Sequence, residues 1–133
     1  MDLPELKGRA ITTLDASAAP PLWIFVLERG CSINVGCPWR VVRDGRVALA
    51  AQDHEQLFGR QEPVDVVKET LSLLDGKKVV RASIGHAGDL AVEFEGGTRI
   101  ETFTDSCGYE SLTVRLSDGK QWIVVGGGKV VEF

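Results

Sequence analysis

The sequence predicts a mainly β fold of the α+β class. Two similar antiparallel strand meanders form a pseudo-two-fold sandwich or barrel, with one helix between the copies. Three observations support this: many short β-prone segments separated by Gly and Asp-Gly turns, one amphipathic segment with helical period, and the same turn pattern in both halves of the chain. A length of 133 residues suits one hydrophobic core, so residues 1–133 are expected to form a single domain.

The candidate strands either alternate apolar and polar residues or are rich in β-branched residues, and turn-forming residues bound them. The first five strands are predicted at 9–14, 22–28, 32–36, 39–43 and 46–50. A second group is predicted at 77–84, 89–95, 98–104, 111–116 and 120–125, with a further edge strand at 129–133.

In the segment between the two groups of strands, the apolar residues recur with the periodicity of an α-helix. Its apolar residues form one stripe, at Val64, Val67, Leu71 and Leu74. Proline at the first position, acidic residues early in the segment and a glycine after its end are typical of helix termini. These signals predict a helix over 63–74.

The turn pattern of residues 8–53 recurs in residues 76–127. In this alignment Leu22 matches Leu90, and an insertion at 105–109 lengthens the second copy. Two copies of one meander would bury their apolar faces against each other. The alternative interpretation is that regularly spaced Asp-Gly hairpins give any β protein a repetitive appearance.

The predicted strand 22–28 is apolar on both faces, whereas strand 89–95 alternates apolar and polar residues. A strand that is apolar on both faces is covered on both sides. The helix is the predicted cover of the outer face. An exposed Trp23 or Phe25 would instead mark an interface with a partner or a second copy.

Charge and composition disfavour several functional classes. With 19 acidic and 15 basic residues and a pI near 5.2, the chain lacks the positive field that supports nucleic-acid binding. The apolar run 22–27 is far shorter than the ~20 residues of a membrane span, and no leader peptide is expected. Three cysteines at spacings that match no zinc or haem pattern favour a cytoplasmic setting without a metal or cofactor.

Two polar segments are candidates for chemistry. Asp53, His54 and Glu55 follow a strand, and a carboxylate beside an imidazole can orient it as a general base. A solvated loop is the favoured interpretation, because adjacent residues seldom point the same way. Cys107 lies in a polar loop with no activating cation or base next to it in the sequence. The glycines at 126–128 are interpreted as a turn, since no helix start follows them. No catalytic residue is assigned.

Two aromatic residues give the strongest functional signal. Trp39 and Tyr109 occupy matching positions before the fourth strand of each copy. Aromatic residues near a surface are frequent interface anchors, because they bring a large contact area at low entropic cost. The predicted partner-binding residues are Trp39, Tyr109, Glu110, Asp53 and His54. In the alternative interpretation, both aromatic residues close the ends of the sandwich as part of the core.

Several short motifs resemble an uncharacterised family of small single-domain bacterial proteins of actinobacterial type, which has no assigned activity. The motifs are Leu-Glu-Arg-Gly at 27–30, Pro-Trp-Arg at 38–40, Arg-Asp-Gly at 43–45, Leu-Leu-Asp-Gly at 73–76, Leu-Ala-Val-Glu-Phe at 90–94, Tyr-Glu at 109–110 and Leu-Ser-Asp-Gly at 116–119. In relatives of this type a tryptophan often follows the Tyr-Glu pair, whereas Ser111 and Leu112 follow it here.

The sequence therefore favours a non-enzymatic protein-interaction module that binds a partner with a basic surface. By analogy with small acidic immunity proteins of bacteria, the partner could be a toxin. The alternative is a sandwich or barrel that binds a small ligand in a pocket near Phe25, Phe94 and Phe103. A third hypothesis is an enzyme that uses Asp53, His54 and Glu55, or Cys107. A homodimer is compatible with each of these hypotheses.

Overall fold

The computed structural model describes residues 1–17 and 21–133. In this part of the chain the first half contributes β1 (Ile11–Ala16), β2 (Trp23–Leu27), β3 (Cys31–Val35), β4 (Trp39–Arg43) and β5 (Arg46–Ala50). After helix α1 (Val66–Leu74) follow β6 (Val79–Ile84), β7 (Leu90–Phe94), β8 (Thr98–Thr102), β9 (Leu112–Arg115), β10 (Gln121–Val124) and β11 (Val130–Glu132). The predicted strands are present, with ends shifted by a residue or two at most.

The strands form two antiparallel sheets. The order is β1-β2-β3-β9-β10-β11 in the six-stranded sheet and β5-β4-β8-β7-β6 in the five-stranded sheet. Each sheet is open, with different strands at its two edges, so the fold is a β-sandwich and not a barrel. The predicted mainly β fold is confirmed.

The two halves of the chain follow the same path through the sandwich, with the sheets exchanged. β1, β2 and β3 are neighbours in the six-stranded sheet before the chain crosses to add β4 and β5 to the other sheet. β6, β7 and β8 are neighbours in the five-stranded sheet before the chain crosses back to add β9 and β10. The halves are joined by the pairs β3–β9 and β4–β8. This repeated path gives the two halves of the chain the predicted pseudo-two-fold arrangement. Duplication of the sequence itself stays a prediction.

The pairing register corrects the alignment of the two halves by one residue. Leu27 and Phe94 are each opposite the first residue of the preceding strand. Counting back from them places Trp23, and not Leu22, at the position of Leu90. The inward-facing residues are the ones that must match, because a slip of one residue turns every side chain of a strand to the other face.

The inward faces of both sheets form the hydrophobic core. Buried and half-buried residues alternate along β2, β3, β7 and β8, as in strands with one face in the core. The largest fully buried side chains include those of Trp39, Phe25, Leu3, Leu6, Leu27 and Leu74. Trp39 is the largest of them, and it lies at one end of this core.

Helix α1 begins three residues later than predicted and lies in a different place. Its cap is Asp65, whose side chain accepts a hydrogen bond from the Lys68 N–H at 3.0 Å. The main contacts of α1 are with β1 and β5, which are edge strands of different sheets, so the helix closes one side of the sandwich. The prediction that the helix covers the outer face of 22–28 is therefore wrong. There Ile24 and Val26 are half-buried. No helix within residues 1–17 and 21–133 is long and apolar enough to cross a membrane.

Candidate functional site

A pocket of about 510 Å³ opens at one end of the sandwich. The register places the first residues of β2 and β4 and the last residues of β5 and β8 at this end. The connection between β3 and β4, where the chain crosses from one sheet to the other, completes the wall. The lining residues are Pro21, Trp23, Gly36, Cys37, Pro38, Trp39, Arg40, Ala50, Ala51, Gln52 and Phe103.

Two tryptophans form the inner wall of this pocket. The rings of Trp23 and Trp39 meet edge to face, with centroids 5.3 Å apart. The rings of Phe25 and Trp39 also meet edge to face, with centroids 5.0 Å apart, and Phe25 lies on the core side of Trp39. Edge-to-face contacts are favourable because the positive edge of one ring faces the negative face of the other. The inner wall is thus aromatic and largely apolar.

Backbone hydrogen bonds fix the crossing between β3 and β4. The Gly36 N–H donates to the Ser111 carbonyl at 2.8 Å, and the Phe103 N–H donates to the Pro38 carbonyl at 2.9 Å. These bonds attach the connection to both sheets at the pocket. Pro38 suits a point where the chain leaves one sheet and enters the other, because proline has no N–H to donate to a strand ladder.

The outer rim of the pocket carries a charged group. The Arg40 guanidinium carbon lies 5.0 Å from the centre of the Phe103 ring, a cation–π distance. The Arg40 Nε donates to Glu101 Oε1 at 2.8 Å. The other oxygen of Glu101 is 2.9 Å from the Arg99 Nη2. These contacts hold the guanidinium in one place at the mouth.

Cys37 is the thiol of this pocket. Burial raises its pKa above the ordinary value of 9.0, and the negative charge of Asp105 contributes in the same direction. Hydrogen bonds with Phe103 and Thr102 oppose this shift without cancelling it. The thiol is therefore protonated at neutral pH, whereas thiol nucleophiles react as thiolates.

The three residues predicted as a possible general-base site have structural contacts. Asp53 Oδ2 accepts a hydrogen bond from the Ala50 N–H at 2.9 Å. His54 Nδ1 accepts a hydrogen bond from the Val66 N–H at 3.2 Å, so the imidazole satisfies a free donor at the start of α1. Glu55 is exposed, and its Oε1 is 3.7 Å from His54 Nε2. The His54 and Trp23 rings meet edge to face with centroids 5.8 Å apart, so His54 is the member of this triplet that packs against a residue of the pocket wall.

Trp39 and Tyr109 differ in environment, although the sequence places them at matching positions. Trp39 is 2% exposed and Tyr109 is 82% exposed. Leu112 pairs with Val35 as Trp39 pairs with Thr102, so Leu112 occupies the position equivalent to Trp39. Tyr109 precedes that position in a turn where its N–H donates to the Ser106 Oγ at 2.9 Å. Glu110 is exposed beside it.

The remaining candidates lie outside the pocket. Cys107 is exposed, in the same loop as Tyr109. Gly126–Gly128 forms a short turn with positive φ at Gly127 and Gly128, and a strand follows it where a phosphate-binding loop would need a helix. Among the described residues no group of three or more His, Cys, Asp or Glu side chains is placed to hold a metal ion.

The pocket differs from the one predicted near the three phenylalanines. Phe103 lines it, whereas Phe25 and Phe94 are buried in the core. Sequence reasoning missed the contributions of Gly36, Cys37 and the segment 50–52. The signal for Gly36 and Cys37 was the Gly-Cys-Pro-Trp turn at 36–39 between two predicted strands, which marks a crossing between sheets once the strand order is known.

Comparison of the chain with protein-family models, with curated proteins and with solved structures found no match. The resemblance to a family of small bacterial proteins accordingly stays a prediction.

Proposed function

We propose that this protein is a non-enzymatic binding protein and that its ligand is a small, largely apolar molecule held in the pocket beside Trp23 and Trp39. One observation carries the proposal: a cavity of about 510 Å³ with two tryptophans in its wall opens at the end of an otherwise packed core. Small-molecule sites are typically concave, of ~300–1,000 Å³, and mainly apolar with few polar groups. The apolar wall of an open cavity stays in contact with water when no ligand is bound, so a ligand that covers this wall is favoured by the burial of apolar surface.

Two further features support binding over catalysis. The pocket thiol, Cys37, has a raised pKa and is therefore a poor nucleophile at neutral pH. Asp53 and His54 are the best candidates for acid–base chemistry, but both side chains accept hydrogen bonds from backbone N–H groups and so have structural roles. A cytoplasmic location belongs to the same proposal, since three free cysteines, one of them exposed, suit a reducing compartment.

The neutral dye N-phenyl-1-naphthylamine tests this proposal, because it fluoresces when an apolar pocket takes it up. The wild-type protein is expected to bind the dye. Ala50→Phe fills the pocket from the end of β5 and is expected to weaken binding by about tenfold or more, equivalent to about 1.4 kcal/mol. Ala48→Phe, on the same strand at an exposed position outside the pocket, is the matched control and should bind like wild type. No dye binding by the wild-type protein, or equal binding by Ala50→Phe, would contradict the proposal.

A second candidate function is protein recognition through the loop between β8 and β9. The observation that favours it is Tyr109, which is 82% exposed and followed by the exposed Glu110. An exposed tyrosine next to a carboxylate suits a partner with a basic surface, such as the toxin of an immunity protein. In this candidate the loop makes the contact, since Trp39 is 2% exposed and lies at the inner wall of the pocket, out of reach of a protein surface.

Affinity capture from a bacterial lysate tests this second candidate. A partner of the proposed kind is a basic protein that wild type retains, that high salt releases, and that Tyr109→Ala fails to retain. An interface anchor is typically worth about 2 kcal/mol or more, so its loss should lower the affinity at least about thirtyfold. Equal retention by wild type and Tyr109→Ala would exclude this loop as the contact.

A further inference from the structure

The mouth of the pocket carries a guanidinium whose terminal nitrogens are free to bind. Arg40 uses its Nε for Glu101, and the described part of the chain gives neither of its two terminal nitrogens a hydrogen-bond partner. Its side chain is partly exposed, at 40%. From this we infer that the molecule bound in the pocket is a small carboxylic acid with an apolar body, and that Arg40 binds its carboxylate. This inference rests on the proposed function.

The guanidinium is positioned before any ligand arrives. The guanidinium carbon lies 5.0 Å from the centre of the Phe103 ring. The Nε donates a hydrogen bond to Glu101 Oε1 at 2.8 Å. Glu101 is held in turn by Arg99, whose Nη2 lies 2.9 Å from its second oxygen. A guanidinium fixed in this way loses little conformational freedom when it binds, and its planar pair of N–H groups matches the two oxygens of a carboxylate.

The charges around the mouth favour an anion over a cation. Arg40 is the charged residue among those that line the pocket. Two guanidiniums, those of Arg40 and Arg99, share the single carboxylate of Glu101. Asp105 acts on Cys37 from the same end of the sandwich, but it is exposed, so solvent and salt screen its charge.

The geometry also assigns an orientation to the ligand. Trp23 and Trp39 are buried in the inner wall, and Arg40 and Phe103 are at the exposed rim. The apolar body therefore points inward against the tryptophans, and the carboxylate stays at the mouth, where water and Arg40 solvate it. This arrangement avoids the cost of burying an unpaired carboxylate.

Three eight-carbon compounds that differ in the charge of the head group test this inference: octanoate, octanamide and octylamine. Their affinities are measured by displacement of N-phenyl-1-naphthylamine. Octanoate is expected to bind wild type about tenfold more tightly than octanamide, and octylamine more weakly than either. In Arg40→Met, which keeps an apolar side chain on Phe103 without the charge, the ratio of octanoate to octanamide affinity is expected to fall to about one. Arg43→Met removes an arginine from the same strand outside the pocket and should keep the wild-type ratio.

The outcomes separate this inference from the proposed function. Equal affinity of octanoate and octanamide for wild type, or an unchanged ratio in Arg40→Met, would overturn the assignment of a carboxylate and leave the apolar pocket in place. Tightest binding of octylamine would overturn it as well, since the mouth would then prefer a cation. Failure of the dye and all three compounds to bind would overturn both proposals.

Discussion

Replacing Trp39 with alanine is expected to lower the free energy of unfolding by about 3–5 kcal/mol. Trp39 is 2% exposed and is the largest fully buried side chain of the core. Its ring contacts Trp23 at 5.3 Å and Phe25 at 5.0 Å, so its removal leaves both rings without an edge-to-face partner and joins the pocket to a new cavity. Urea unfolding followed by circular dichroism measures the loss independently of tryptophan fluorescence.

Two variants make this prediction specific. Tyr109→Ala removes the other aromatic of the predicted pair and is expected to change stability by less than about 0.5 kcal/mol, because that side chain is 82% exposed. Trp39→Phe keeps an aromatic ring and removes the buried Nε1–H, which has no hydrogen-bond partner in the described residues. Trp39→Phe should lower the free energy of unfolding by less than about 1.5 kcal/mol, since removing an unpaired donor partly offsets the cost of the lost side-chain volume. Similar losses for Trp39→Ala and Tyr109→Ala would contradict the burial of Trp39.

The second large effect is expected for Gly128→Ala, which should lower the free energy of unfolding by about 2–5 kcal/mol. Gly128 has a φ of +90°, and a Cβ there would lie far inside contact distance of the Ala87 carbonyl oxygen. The backbone around Gly88 also approaches closely, since a Cβ on Gly88 would come within 2.7 Å of the Gly128 Cα. The left-handed conformation costs an alanine about 1–2 kcal/mol, and relief of the clash costs about 1–3 kcal/mol more.

Gly127→Ala is the matched control for this prediction. Gly127 has a φ of +84°, but within residues 1–17 and 21–133 no heavy atom outside its chain neighbours lies within 4 Å of the position that a Cβ would occupy there, so the variant carries the conformational cost without the clash. It is expected to lose about 1–2 kcal/mol in the same urea experiment. If both variants lose the same amount of stability, the close approach of the turns at 85–88 and 126–128 is not a constraint on the fold.

Local patterns in the sequence were sufficient to predict the strands and the existence of the helix. Alternating burial in β7 follows the alternation of apolar and polar residues, whereas β2 alternates in burial although all five of its residues are apolar. Turn residues mark the strand ends. The location of α1 could not be predicted in this way. Its apolar stripe shows that the helix is packed against something, whereas the contact with edge strands β1 and β5 depends on the order of strands in two sheets.

The candidate site was harder to predict than the fold, because it is formed by residues that are distant in the sequence. Trp39 and Tyr109 look equivalent as sequence neighbours of a strand, and the extra residues before β9 separate them in the structure. The partnership of Arg40 with Glu101 and Phe103 arises from the pairing of β4 with β8. A pairing between strands from different halves of the chain leaves no local signal.

The central claim is that the cavity beside Trp23 and Trp39 holds a small molecule, and nitrogen–proton correlation NMR of the tryptophan indoles tests it most directly. The chain has three tryptophans, and Trp122, on β10, is outside the pocket. Adding octanoate or octanamide is expected to shift the indole signals of Trp23 and Trp39 and to leave that of Trp122 in place, with signals assigned by Trp122→Phe. Unchanged signals of Trp23 and Trp39 at saturating ligand, or a shift confined to Trp122, would contradict the account.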